Sequence, residues 1–220
     1  MKKMMMLTLG LLFVLTMAGC KNDDVEEFEF DVPESYNVNV QELGYAEYLS
    51  LSNPVVTINV RDMGEIKLQL FPSIAPNTVN NFIKYIEEGS YTDNEFHRVI
   101  NGFMLQGGML ENPDCTIEGE MTRNGFENPL MHYIGVISMA RVDGDYDSAS
   151  SQFFIVHGDA SFLNGEYASF GGAISGFHLI DYIASLNDPD VNQVTIAPVY
   201  IDSITVELNG YEPEEPICIQ

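Results

Sequence analysis

Apolar and polar positions alternate along several short segments of the chain from residue 54 onward. The first two segments flank a turn at residues 61–64, and their apolar members are Val56, Ile58, Val60, Ile66, Leu68 and Leu70. A period of two is typical of a strand with one buried face, so these segments are predicted to form a hairpin. Further short strands are predicted at 97–100, 103–107, 134–140, 152–157, 168–174 and 199–208.

Two other segments repeat apolar residues at helical spacing. The first begins near Pro76, a residue type favoured in the first turn of a helix, and ends at Gly89. Its apolar face consists of Val79, Phe82, Ile83 and Ile86. The second helix is predicted from His178 to Leu186. Many short strands with only two helices predict a mainly β fold, with a closed or nearly closed barrel capped by the helices.

The dipeptide Asn101-Gly102 separates two apolar runs, which is a strong hairpin signal. Such a hairpin folds Arg98 back toward Gln106. Beyond residue 21 the chain has only six basic residues, so a cation inside its most apolar hairpin is unusual. The pattern predicts a groove with one cation, one amide and an apolar floor. The alternative is an ordinary buried hairpin with Arg98 at its rim.

The charge of the chain excludes one class of partner. With 9 basic and 33 acidic residues among 220, the formal net charge is −24. Affinity for nucleic acid comes largely from Lys and Arg that neutralise phosphates, so no nucleic acid is expected as a partner. The chain also lacks Cys-x-x-Cys and His-Glu-x-x-His spacings, so no metal is predicted. Its length suits one domain of moderate size with appendages.

The N-terminus has the pattern of a secretory signal. Lys2 and Lys3 precede an apolar run at residues 4–17, which is too short for a comfortable transmembrane span. The run ends in Leu-Thr-Met-Ala-Gly-Cys at 15–20, which resembles the lipobox of bacterial lipoproteins. We therefore expect a signal peptide at residues 1–19, a lipid on Cys20, and an extracytoplasmic protein anchored to a bacterial membrane. A plain secretory signal is the alternative.

The segments on either side of the predicted domain show no sustained period. Residues 20–50 are rich in Asp, Glu and Asn and are expected to form an acidic tether, with a short ordered part around 40–51. Residues 211–220 form an acidic C-terminal tail. Cys115 and Cys218 could pair outside the cytoplasm, but the sequence does not show that they meet, and two free cysteines are the favoured prediction.

Several motifs resemble, in the same order along the chain, those of the cyclophilin family of peptidyl-prolyl isomerases. They fall within residues 54–208 and read FHRVINGFMLQGG at 96–108, GVISMAR at 135–141, SQFFI at 151–155 and FLNGEYASFG at 162–171. Several motifs in register are far more specific than any one of them. The resemblance implies a closed eight-stranded antiparallel β-barrel capped by two α-helices, in a cyclophilin-like domain at residues 51–210.

The resemblance also implies a site, residue by residue. Arg98 corresponds to the catalytic arginine and Gln106 to the glutamine that hydrogen-bonds the substrate backbone. The proline pocket corresponds to Phe103, Met104, Phe154, Leu163 and Tyr167, and the adjoining groove to Ala140, Arg141 and Gln152. Phe162 stands where many members have tryptophan, and Tyr167 where many have histidine. Because phenylalanine lacks an indole N–H donor, weak cyclosporin binding is expected.

The function that this resemblance implies is cis-trans isomerisation of X–Pro bonds in secreted or envelope proteins, which assists their folding. Twisting the bond localises the lone pair of the prolyl nitrogen, and a donor from Arg98 stabilises the twisted amide better than the planar one. No covalent bond is made or broken, and no cofactor is expected. The expected partners are proline-containing polypeptides and, through Cys20, a membrane; the protein is expected to be a monomer. The alternative is a proline-peptide-binding module or chaperone without turnover.

Overall fold

The computed structural model describes residues 28–191 and 193–219 of the chain. The predicted signal peptide at 1–19 and the predicted lipidation site Cys20 lie outside these residues. Within the described ranges the chain forms eleven strands, two α-helices and four short 3-10 helices. Each long strand predicted from the alternation is present, and its ends lie within two residues of the predicted ones.

The strands are short and all their pairings are antiparallel. In chain order they are β1 Val55–Val60, β2 Gly64–Leu70, β3 Asn94–Glu95, β4 Arg98–Ile100, β5 Met104–Gly107, β6 Thr116–Ile117, β7 Val136–Met139, β8 Phe153–Val156, β9 Ser169–Ser175, β10 Tyr200–Glu207 and β11 Cys218–Ile219. Nine of them form one sheet in the order β3-β10-β1-β2-β9-β7-β8-β5-β4, and β6 pairs with β11 in a second sheet. The mainly β fold is therefore as predicted.

The expected closed eight-stranded barrel is a nine-stranded curled sheet instead. Its two edge strands, β3 and β4, are successive parts of one chain segment. Phe96 lies between them, and its ring is buried against Phe153 with the ring centroids 6.4 Å apart. Because β3 pairs with β10 and β4 pairs with β5, no ladder runs continuously between the two edges.

Two helices cover the sheet, as the sequence predicts. Helix α1 runs from Pro76 to Glu87 and helix α2 from Phe177 to Ser185. No side chain at the N-cap of α1 accepts a hydrogen bond; the buried carboxylate of Glu120 accepts from the amides of Asn77 and Thr78 at 3.0 and 2.7 Å instead. A carboxylate there also complements the positive end of the helix dipole. No helix among the described residues is both long enough and apolar enough to span a bilayer.

The packed region extends beyond residues 51–210 on both sides. In the segment expected as a tether, Tyr45 is fully buried and its hydroxyl donates to the carbonyl of Ala173 at 2.7 Å. Burial raises the pKa of this phenol. In the C-terminal tail, the hydroxyl of Tyr211 donates to Asn80 Oδ1 on α1 at 2.6 Å. The terminal segments therefore pack on the sheet and on α1, although their sequences show no regular period.

The prediction of two free cysteines is wrong, because Cys115 and Cys218 form a disulfide. Strand β11 at the end of the tail pairs with β6, which follows Cys115 directly, and this pairing brings the two Cα atoms to 5.7 Å. That separation lies within the range that a disulfide requires. The bond joins residues 103 positions apart, so no local sequence pattern reports it.

Candidate active site

The hairpin of β4 and β5 places the predicted cation beside the predicted amide. The register pairs Arg98 with Gln106, and Gly102 in the turn between the strands adopts a positive φ of 75°. Leu105 points into the main core, whereas Met104 belongs to a second, smaller apolar cluster. Phe103 lies in the turn, so strand alternation does not direct its side chain, and it packs against this second cluster with Met104.

Amide side chains hold the Arg98 guanidinium in place. Its Nη1 donates to Gln106 Oε1 at 3.0 Å, and its Nε donates to Gln193 Oε1 at 2.6 Å. Gln106 in turn donates from Nε2 to Gln152 Oε1 at 2.9 Å. Two separate acceptors fix both the position and the plane of the guanidinium, which a single contact would not do.

Arg98 has no carboxylate partner within 4 Å among the described residues. In the described part of the chain, Arg61, Lys67, Lys84 and Arg123 each have a carboxylate oxygen within 4 Å. None of the salt bridges among the described residues includes Arg98. The net charge of the molecule is −24, and Arg98 nevertheless differs from these four basic residues in having no carboxylate within 4 Å among the described residues. Neutral acceptors orient the cation and leave its positive field available to a ligand.

A cavity of about 100 Å³ opens next to this guanidinium. Met104, Phe154 and Leu163 are almost completely buried and form its floor. The cavity is lined by Arg98, Phe103, Met104, Gln106, Ala140, Arg141, Phe154, Leu163 and Tyr167. Every predicted site residue except Gln152 and Phe162 therefore borders one cavity, although the strands and loops that carry them are distant in sequence.

Aromatic contacts keep the pocket wall rigid. The rings of Phe154 and Tyr167 meet edge to face with centroids 5.8 Å apart, and His132 stacks on Phe154 at 5.9 Å. Burial lowers the pKa of His132 to about 4, against a smaller opposing effect of its hydrogen bond to Asn164. The imidazole is thus neutral at physiological pH, and it supports the Phe154 ring without adding a charge.

A second cavity of about 150 Å³ continues the groove on the side of Gln152. It shares Gln106, Ala140 and Arg141 with the first cavity and adds Leu110, Pro113, Val142, Ser148, Ser150, Ser151 and Gln152. Phe162 lines neither cavity. Its side chain is 65% exposed, and its ring contacts Phe103 with centroids 5.2 Å apart. The structure therefore places Phe162 at the rim, next to the apolar pocket.

Sequence reasoning missed Gln193, which contacts the active-site hairpin twice. Besides its side-chain bond to Arg98, its backbone carbonyl accepts from the amide of Val99 at 3.0 Å. Gln193 has a positive φ of 72°, which is uncommon for a residue other than glycine. It lies 95 residues after Arg98, in the loop between α2 and β10, and no motif in the sequence points to it.

Comparisons with known proteins identify the family of this chain. The family model of cyclophilin type peptidyl-prolyl cis-trans isomerases matches residues 55–206. The chain is 37% identical over 156 residues to peptidyl-prolyl cis-trans isomerase B of Escherichia coli. This alignment covers 65% of this chain and 94% of that protein. It is 38% identical over 137 residues to peptidyl-prolyl cis-trans isomerase B of Bacillus subtilis. That alignment covers 60% of this chain and 90% of the Bacillus subtilis protein.

The solved structures lead to the same group of proteins. A Cryptosporidium parvum cyclophilin type peptidyl-prolyl cis-trans isomerase, crystallised in the presence of the dipeptide Ala-Pro, matches with a TM-score of 0.62 and 28% sequence identity. The match covers 70% of this chain and 98% of that structure. The sequence and the fold therefore agree over the same part of the chain.

Proposed function

Since the chain belongs to the cyclophilin-type peptidyl-prolyl cis-trans isomerase family, we propose that it isomerises X–Pro bonds in the groove between Arg98 and the apolar pocket. The chain is an enzyme, a peptidyl-prolyl cis-trans isomerase. The proposal concerns which residues act, and on which polypeptides. One observation carries it, namely a guanidinium held by neutral amides beside a cavity whose floor is made of buried apolar side chains.

The chemistry needs a donor that favours the twisted amide. Rotation about an X–Pro bond breaks amide resonance, and its barrier is roughly 18–20 kcal/mol. In the twisted state the prolyl nitrogen becomes pyramidal and regains a lone pair, which accepts a hydrogen bond. Arg98 has N–H donors beyond those used by Gln193 and Gln106. Its contact is stronger with the twisted amide than with the planar one, so the barrier falls.

The pocket and the amides have a positioning role in this proposal. Met104, Phe154 and Leu163 hold the proline ring, and Gln106 binds the substrate backbone on the other side of the rotating bond. An acceleration of about 10⁵-fold requires roughly 7 kcal/mol of differential stabilisation. One hydrogen bond to a charged group supplies about 1.5–3 kcal/mol. Positioning and exclusion of water therefore have to supply the larger part.

A prolyl-peptide isomerisation assay on Arg98→Ala tests this assignment. We expect kcat/KM to fall at least about tenfold, the minimum for one lost hydrogen bond to a charged group. Arg61→Ala is the matched control, because Arg61 is paired with Asp93 and Asp202 and lines neither cavity. It should keep wild-type activity. If Arg98→Ala is folded and as active as Arg61→Ala, Arg98 is not the catalytic donor.

We also propose that the enzyme works outside the cytoplasm on secreted or envelope proteins, anchored by a lipid on Cys20. Support comes from the basic and apolar N-terminal pattern that ends at Cys20. The Cys115–Cys218 disulfide adds to it, because such bonds persist in oxidising compartments. Mass spectrometry of the mature protein should find an acylated Cys20 as its first residue. The Cys20→Ala protein should be absent from the membrane fraction. An unmodified N-terminus elsewhere in the chain would contradict the anchor.

A further inference from the structure

Arg141 follows strand β7 and borders both cavities of the groove. We propose that its guanidinium binds an acidic side chain of the substrate, so that the enzyme favours X–Pro bonds with Asp or Glu close to the proline. The inference rests on the proposed function, because it places the proline in the first cavity. A neighbouring substrate side chain then lies in the second cavity, with Arg141 at the boundary.

The guanidinium of Arg141 is fixed without being neutralised. Its Nε donates to the carbonyl of Glu166 at 3.1 Å and its Nη1 to the carbonyl of Val142 at 3.0 Å. Its Cζ atom lies 4.4 Å from the ring centroid of Tyr167 and 4.8 Å from that of Tyr146. Carbonyls and aromatic rings attract a cation but carry no net charge, so they orient the group and leave its positive charge in place.

Carboxylates of the protein do not occupy this cation. None of the described residues forms a salt bridge with Arg141 within 4 Å. Glu166 binds Arg141 through its backbone carbonyl, and its carboxylate lies 3.6 Å from Arg123 Nη1 instead. Of the five N–H donors on Arg141, two are used by the carbonyls, and the others are available to a carboxylate that enters the groove.

The local charge of the groove is opposite to that of the molecule. The net charge of −24 repels acidic peptides at long range, yet both guanidiniums that border the first cavity, Arg98 and Arg141, lack a carboxylate partner among the described residues. Salt screens charges separated by more than about 10 Å at 0.1 M, whereas a contact inside a groove is screened much less. A positive groove therefore selects an acidic side chain at short range.

Peptides that differ at one position test the inference. A prolyl tetrapeptide series carries Glu, Gln or Lys directly before the proline, and a second series carries them one position earlier. Glu and Gln have nearly the same shape, so their kcat/KM ratio isolates the charge. In one of the two series we expect a Glu-to-Gln ratio of about 3 to 10 for the wild-type protein at low salt, as a partly buried ion pair provides. The Lys peptide should be slower than the Gln peptide.

Variants then assign the preference to one residue. In Arg141→Gln the Glu-to-Gln ratio should fall to about one, and in Arg61→Gln, which removes a cation outside both cavities, the wild-type ratio should persist. The wild-type ratio should not fall when salt is raised to 0.1 M, because salt screens the long-range repulsion of the acidic peptide more than the contact inside the groove. A wild-type ratio of one in both series, or an unchanged ratio in Arg141→Gln, overturns the inference. Failure of the proposed function looks different, since the neutral Gln peptide would then show no acceleration at all.

Discussion

Replacing Gln193 with alanine removes the acceptor of the Arg98 Nε–H bond and leaves the loop backbone in place. The lost contact is 2.6 Å long and involves a charged donor, a class of hydrogen bond worth about 1.5–3 kcal/mol. Arg98 keeps its bond to Gln106 at 3.0 Å, so the guanidinium becomes less ordered but stays near the cavity. We expect between half and all of this hydrogen-bond free energy to be lost from the transition state, because Arg98 is then less often in its productive orientation. The value of kcat/KM then falls roughly 4- to 150-fold.

Two further variants separate orientation from loop stability. Gln193 has a positive φ, which glycine adopts more easily than alanine, so Gln193→Gly relieves backbone strain while it also lacks the side chain. Both variants should lose the same activity, although Gln193→Gly should be the more stable. Gln193→Glu keeps an acceptor but places a carboxylate on Arg98. Its activity should be low at neutral pH and recover only as the pH falls below about 4, because the guanidinium lowers the pKa of the new carboxyl from its ordinary value.

The assay is kcat/KM for a neutral prolyl tetrapeptide, with urea unfolding measured in parallel. Wild-type activity in Gln193→Ala, within a factor of two, would refute the idea that this side chain orients Arg98. Recovery of activity in Gln193→Gly would refute it as well, because the lower kcat/KM of Gln193→Ala would then be due to backbone strain in the loop.

Three predictions concern stability. Replacing Cys115 and Cys218 with serine should lower the free energy of unfolding by about 4–5 kcal/mol, since the bond closes a loop of 103 residues; a loss below about 1 kcal/mol in urea unfolding would contradict this. Tyr45→Phe leaves the carbonyl of Ala173 without its donor and should cost about 1–3 kcal/mol, seen as a lower midpoint of thermal unfolding. The lowered pKa of His132, about 4 against 6.5, makes a contribution that is complete above pH 6.5 and is lost as the pH falls through about 4. It amounts to roughly 3 kcal/mol at most, and His132→Gln should flatten the pH dependence of unfolding over this range.

The sequence alone determined the local elements of this protein and the residue types of its site. Alternation with period two located the long strands, and a helical period located α1 and α2. Asn101-Gly102 located the hairpin of β4 and β5 but did not set its register: Phe103 joins the turn, so Arg98 pairs with Gln106 and not with Leu105 as a two-residue turn would require. These features depend on neighbours in the chain, so the order of residues specifies them directly.

Only the tertiary structure decided how distant segments complete the site and the fold. Gln193 reaches Arg98 from 95 residues away, and Cys218 reaches Cys115 from 103. The two edges of the sheet likewise follow from long-range pairing, since β3 pairs with β10 whereas β4 pairs with β5. Only the folded structure shows that none of the described residues places a carboxylate within 4 Å of Arg98, in a chain with 33 acidic residues and 9 basic ones. Such contacts depend on which surfaces meet after folding, and no periodicity along the chain encodes them.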